Sequence, residues 1–144
     1  MIEDLKNKVV LITGSSTGIG AAAAKAFGAN GARVAVHYNK SKSEAEKVAA
    51  EIERSGGKAF LVTGDVSGSM VCKDLVHKTV AHFGRIDVLI NNAGVSDMRG
   101  VAPESFDMDT WNWIMSIDLN GGLAFSQAAA SQGSAASASR LRRE

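Results

Sequence analysis

Four short aliphatic runs, separated by stretches with helical spacing, constrain this chain more than any other feature. Val9-Val10-Leu11-Ile12 is continuously apolar, as suits a strand buried on both faces of a parallel sheet. Ile19, Ala22, Ala23, Ala26 and Phe27 then recur at helical spacing until Asn30-Gly31 stops the pattern. Val34-Ala35-Val36 predicts a second strand. Ala45, Val48, Ala49 and Ile52 form a second helical stripe, closed by Gly56-Gly57. Ala59 to Val62 predicts a third strand, and Ser67 is the expected N-cap of a helix with Val71, Leu75 and Phe83 on one face. Val88-Leu89-Ile90 is the fourth strand. The order β-α-β-α-β-α-β implies a parallel sheet with right-handed crossovers and helices on both faces.

Past the fourth strand the pattern changes. Val95 to Asp107 reads as a loop holding the only proline, Pro103. A long helix is expected from Asp107 or Asp109, with Trp113, Ile114 and Ile117 on one side. Residues 1–127 form the expected domain, and residues 128–144 a low-complexity tail. Ala128 to Ser139 is almost entirely alanine, serine, glutamine and glycine. Alanine favours helix while the serines and Gly133 oppose it, so the tail is expected to fray, to be disordered or to add a short helical extension.

Charge and composition exclude several classes. A net charge of +1 lacks the basic footprint of a nucleic-acid binder. No apolar run reaches the roughly 18 residues that span a bilayer. Met1 to Lys8 mixes acids and lysines and does not read as a signal peptide, so a cytoplasmic protein with no membrane partner is expected. The single cysteine, Cys72, precludes an internal disulfide and is expected to be a small buried residue. His37, His77 and His82 have no partner at metal-ligand spacing, so no metal site is expected.

The chemistry centres on Thr13-Gly14-Ser15-Ser16-Thr17-Gly18-Ile19-Gly20, between the first strand and the first helix. Gly14 permits the tight turn, Gly18 lets backbone approach a ligand, and Gly20 lets the helix pack closely. The free N–H groups and positive dipole end of the helix suit a pyrophosphate. An ordinary strand–helix turn would account for the glycines alone. The strand before and the helix after favour a nucleotide site.

Thr-Gly-x-x-x-Gly-Ile-Gly resembles the cofactor motif of the short-chain dehydrogenase/reductase family. Asn91-Asn92-Ala93-Gly94 after the fourth strand resembles that family's second motif, and Asp65-Val66 after the third strand matches its adenine-contacting acid. The resemblance spans roughly residues 7 to 127 and looks most like the 3-oxoacyl-carrier-protein reductase and sugar or steroid dehydrogenase branch. It implies a Rossmann-like, doubly wound α/β sheet in the order 3-2-1-4, incomplete beside the family's seven strands. It also implies that Val88 to Ile90 is left as an exposed apolar edge.

The same resemblance implies the site roles. Gly14, Ser16, Thr17, Gly18, Ile19 and Gly20 would hold the pyrophosphate and the adenosine ribose. Asp65 would accept from the adenine amino group, with Val66 against the ring. Asn91 would hold the ribose of the nicotinamide half, with Ala93 and Gly94 letting the cofactor lie close. At the end of the second strand, His37, Tyr38 and Asn39 stand where an acid would select NAD. The missing acid, with Lys40 and Lys42 nearby, favours NADP over NAD, although the two lysines also suit a solvated helix start. Thr17 stands where NADP-dependent members often carry a basic residue.

Family members use a tyrosine, with a lysine four residues later to lower its pKa, to reduce carbonyls or oxidise alcohols. This sequence has no tyrosine after Tyr38 and no lysine after Lys78. Asp118, seven residues after Trp111, stands at the family's catalytic asparagine, and Asn120 lies about 200° away on an ideal helix. The chain is therefore expected to be a truncated member that binds nicotinamide dinucleotide and is inactive alone, on an unknown small carbonyl or alcohol. The alternative is a nucleotide-binding or heteromer-forming module without catalysis. The helix after Asp107 is also the expected homo-oligomer surface, where Trp111, Trp113 and Phe125 fit an interface and a core equally.

Overall fold

The computed structural model describes residues 2–97 and 99–141, with side-chain surroundings described to residue 132. Its framework is β1 (Val9–Ile12), α1 (Gly18–Ala29), β2 (Arg33–Tyr38), α2 (Lys42–Arg54), β3 (Lys58–Thr63), α3 (Ser69–Phe83) and β4 (Val88–Ile90). The four strands make one parallel sheet in the order β3-β2-β1-β4, as expected. Val10 pairs with Val34 on one side and Val88 on the other, so β1 is interior and buried along its whole length.

Alternation along β1 splits the core. Val10 and Ile12 face α1 and α2, among Ala24, Val48 and Ile52. Leu11 faces the opposite side, among Leu75, Val76 and Phe125. A strand with helices on both faces must be apolar at every position, which is why Val9–Ile12 shows no alternation. Phe125 is completely buried, so of the three aromatics offered as an oligomer surface it belongs to the core. Trp111 and Trp113 remain about half exposed. β4 stands at the edge of the sheet, with a strand on one side only among the described residues, and its side chains are half-buried at all three positions.

α1 ends at Asn30-Gly31 as expected, with Gly31 at φ +77°. α3 starts later than expected. Gly68 occupies its N-cap position, and Ser67 instead donates its N–H to Asp65 Oδ1 at 2.9 Å. Cys72 is buried, and burial raises its thiol pKa. After a loop, α4 (Met108–Met115) continues through a wider π-helical stretch, Ser116–Gly121, into α5 (Gly122–Leu141). Of the segment expected as a tail, residues 128–141 continue α5, and residues 142–144 lie outside the described residues.

Asp107 caps α4 by accepting the Thr110 N–H at 2.7 Å. It also pairs with Arg99, whose guanidinium binds Asp97 at 2.7 Å. The Thr110 N–H first, and then Arg99, hold the Asp107 carboxyl down from the ordinary 3.8 to about 2. A carboxyl depressed in the folded state supports the fold above its unfolded pKa and loses that support as pH falls through the folded value. Thr110 amide exchange is therefore expected to accelerate as pH drops from about 4 to about 2, relative to D107N. Asparagine also caps but does not titrate there, so matching profiles would refute the cap's role.

Candidate functional site

The loops at the carboxyl ends of β1, β2, β3 and β4 enclose a cleft of about 520 Å³. That is where a ligand binds in an open α/β sheet, and the volume suits a small organic ligand. The glycine-rich turn forms its floor. Gly14 lies at φ +62°, and a Cβ there would stand 3.0 Å from Ala93 Cα, so turn and neighbouring loop touch backbone to backbone. Gly20 is buried behind the cleft and does not line it. A Cβ on it would come within 2.5 Å of both Asn92 Nδ2 and the Gly14 carbonyl. Its close approach is thus to the turn and the Asn92 side chain.

The start of α1 is left open for a ligand. Thr17, at the N-cap position, makes no side-chain cap, and no acid lies in the first turn. A Cβ at Gly18, φ +57°, would meet nothing within 4 Å. Ile19 is 84% exposed beside it. Unfilled N–H donors, a positive dipole end and an uncovered apolar side chain together suit an anion with an apolar attachment. Ser16, Thr17, Gly18 and Ile19 line this end of the cleft.

The opposite wall comes from the loop after β3. Asp65 is exposed, and its hydrogen bonds from Ser67 hold its carboxyl below the usual range. It is therefore an ionised acceptor at neutral pH. Val66 is buried beneath it but still lines the cleft. Tyr38 and Asn39, at the end of β2, line the gap between this wall and the turn. Lys42 is 3.7 Å from Glu46, whereas Lys40 is exposed and forms no ion pair among the described residues.

The third wall follows β4. Thr13, only 2% exposed, accepts the N–H groups of Asn92 at 3.0 Å and Ala93 at 2.9 Å on its Oγ. Asn92 returns the link by donating Nδ2–H to the carbonyls of Thr13 and Gly14, at 2.9 and 3.0 Å. Ala93 and Gly94 line the cleft with Asn92, but Asn91 does not. The exposed Asn91 side chain donates to Ser126 Oγ at 3.0 Å on α5 instead. Sequence reading missed Asn92, Gly64, Val95 and Ile117 as cleft residues.

Asp118 lies in the π-helical stretch, outside the cleft lining. Its Oδ1 accepts the Val95 N–H at 2.8 Å and holds the loop that continues from Gly94. π turns recur at functional sites because they re-aim the side chains they carry. Asn120 is exposed in the same stretch.

His37 is the buried member of the set, 2% exposed, and it joins two walls. Its Nδ1 accepts the Gly14 N–H at 2.9 Å, and its Nε2 lies 2.9 Å from the Gly64 carbonyl. Burial lowers its pKa, outweighing the Gly64 hydrogen bond and the charge of Asp65. Among the described residues, no cluster of three or more His, Cys, Asp or Glu side chains is placed to hold a metal ion. Nor is any helix among them long and apolar enough to cross a membrane.

Comparison with known proteins gives one consistent answer. Residues 8–139 match the family model described as short chain dehydrogenase. The L-rhamnose 1-dehydrogenase (NAD(P)(+)) of a Sphingomonas species is 39% identical over 128 residues, 89% of this chain and 50% of the relative. A short chain dehydrogenase from Burkholderia cenocepacia, solved in complex with NADP, superposes with a TM-score of 0.84 and 35% identity. That match covers 89% of this chain and 51% of the other. The NADH-dependent reductase A1-R′, solved with NAD, gives 0.87 and 31% identity over 96% of this chain and 58% of its own. The chain spans about half the length of the curated relatives it matches.

Proposed function

The chain belongs to the short-chain dehydrogenase family, and from that premise we propose that its cleft binds a nicotinamide dinucleotide, NADP in preference to NAD. The observation that carries this reading is the uncapped N-terminus of α1, opening into the cleft that Asp65 and Ala93-Gly94 wall. The pyrophosphate would lie against Ser16, Thr17, Gly18 and Ile19, and the adenine amino group would donate to Asp65. Ala93 and Gly94 offer small side chains where the nicotinamide half would pass. One relative carries NAD(P) in its name, and solved neighbours hold NADP or NAD.

The preference for NADP rests on Lys40. It forms no salt bridge among the described residues, its charge being felt only through space by the Asp65 carboxylate, and it follows β2, which ends without an acid of its own to repel a 2′-phosphate. Titration of the purified chain with NADPH is expected to saturate. Lys40→Ala is expected to weaken NADPH about tenfold, near 1.4 kcal/mol, and to leave NADH within about twofold. Equal losses for both nucleotides would remove Lys40 as the phosphate reader, and non-saturating titrations would remove the dinucleotide altogether.

When bound, the dinucleotide supplies hydride transfer at its nicotinamide ring, to a carbonyl carbon or from an alcohol carbon. This chain's own residues hold and orient it. No tyrosine follows Tyr38 and no lysine follows Lys78, so the residues given past Asn91-Asn92-Ala93-Gly94 offer no Tyr-x-x-x-Lys pair to move the proton; the Tyr38–Lys42 spacing falls instead between the end of β2 and the start of α2. We expect nucleotide binding without carbonyl-dependent NADPH consumption, and measurable turnover would overturn that part. Asp118 supports the loop beside Gly94 through Val95 and stands in for the family's asparagine as a positioning group.

A further inference from the structure

His37 lines the cleft yet is only 2% exposed, so most of its ring is occupied by the protein itself. Its ring stands between Gly14 of the glycine-rich turn and Gly64, one residue before Asp65. The hydrogen bonds fix its tautomer. The Gly14 N–H can only donate, so Nδ1 must be bare; the Gly64 carbonyl can only accept, so Nε2 must carry the proton. Its backbone is tied to the same turn. The His37 N–H donates to Ser15 Oγ at 2.9 Å, and the Ser15 N–H returns to the His37 carbonyl at 2.9 Å. Ser15 Oγ donates in turn to the Ile12 carbonyl at 2.7 Å. The Phe125 ring meets the imidazole edge-on, with centroids 6.5 Å apart, so α5 blocks its retreat.

We propose that His37 is a positioning residue whose neutral Nε2–H tautomer holds the glycine-rich turn in its ligand-ready form, and that protonation of Nδ1 releases it. A proton on Nδ1 faces the Gly14 N–H, so one bond is lost and two donors oppose each other. The bond then lost belongs to Gly14, which lies at positive φ at the bend of the turn. From the turn, Gly14 and Ser15 bring no titratable side chain to the ring, and among the described side chains of α5 it is the Phe125 ring that meets it. Asp65, beyond Gly64, is the carboxylate acting on the ring and favours the proton; on β2 itself the neighbouring titratable group is Tyr38. Burial opposes the proton and dominates. The neutral form is the resting state, and release follows only below the ordinary histidine range.

The consequence for ligand binding rests on the dinucleotide reading, whereas the link from His37 to Gly14 does not. Calorimetric titration of the full chain with NAD, from about pH 8 to about pH 5, reads the first. The expected result is a Kd that is constant at the upper end and then rises up to about tenfold per pH unit, as one linked proton requires. His37→Asn keeps an acceptor for the Gly14 N–H but loses the Gly64 bond and the titration. It is expected to bind several-fold more weakly at neutral pH, with a Kd that no longer changes on acidification. Parallel profiles for the two proteins would overturn the proposal. In the ligand-free chain, the Gly14 amide resonance should move with the His37 ring nitrogens as they titrate. A Gly14 resonance indifferent to that titration would also overturn it. If NAD binds at no pH while Gly14 follows the ring, His37 keeps its role and the dinucleotide reading falls.

Discussion

Replacing Thr13 by valine is expected to destabilise the chain by roughly 3 kcal/mol, because two backbone donors lose their acceptor at once. Valine keeps the shape of threonine but not its oxygen. The N–H groups of Asn92 and Ala93 then point at a methyl group in a region where Thr13 itself is 2% exposed. An unsatisfied buried donor costs about 1–3 kcal/mol, and partial access to water keeps the pair in the lower half of the summed range of about 2–6 kcal/mol. For a chain of this size the melting temperature should fall by on the order of 10 °C. Thr13→Ser restores the oxygen and should recover most of the loss. Nucleotide affinity should fall with stability, since the same hydroxyl joins the β4 wall to the glycine-rich turn. Thermal melts of the two variants decide it. A valine variant within about 1 kcal/mol of the parent would show that the Thr13 hydroxyl is dispensable.

Phe125→Ala is expected to cost about 3–5 kcal/mol, the usual range for removing a buried phenyl ring. That is a large share of the roughly 5–15 kcal/mol that stabilises a domain. The ring is completely buried among Leu11, Ala35 and Leu75, on the face of the sheet opposite α1 and α2. It also fixes α5 to the sheet and closes the space behind His37. Urea denaturation should show a lower midpoint with an unchanged slope, since the surface exposed on unfolding is nearly the same. Phe125→Leu retains most of the apolar volume and should lose less than half as much. Equal losses for alanine and leucine would mean that ring shape, rather than buried volume, sets the cost.

The sheet was legible because its physics leaves one option. A strand apolar at four successive positions, followed by a glycine turn and a helical stripe, has to be an interior strand of a parallel sheet. The glycine-rich turn was legible for the same reason: both neighbours of the motif were visible. Asn91 and Asn92 were not separable in this way. They are adjacent residues of one type just past the end of β4. Only the placement of β4 beside β1 decides that Asn92 turns toward Gly14 and Asn91 toward Ser126. The π-helical stretch at Ser116–Gly121 was invisible because six residues are too few to distinguish its period from that of an α-helix. His37 read as a residue facing a ligand and does line the cleft, but nothing local shows that its ring is also held between Gly14 and Gly64 and met by Phe125. Ser67 looked like a cap by residue type, but its side chain as well as its N–H bonds the Asp65 carboxylate, and the helix starts one residue later, after Gly68.

The parallel arrangement of β1 between β2 and β4 has a consequence for synthesis. One side of β1 gains its neighbour as soon as Arg33–Tyr38 has been made, but the other waits for Val88–Ile90. At about 5–20 residues per second, that second edge stays open on the nascent chain for on the order of 10 s. During that interval the most apolar segment of the protein presents unpaired amides to its surroundings. No hairpin can shelter it, because each strand joins its sheet neighbour through a crossover. Newly made chains are therefore most vulnerable to mispairing before residue 90 emerges, and a codon change that slows translation between β3 and β4 lengthens that window without altering one atom of the finished fold.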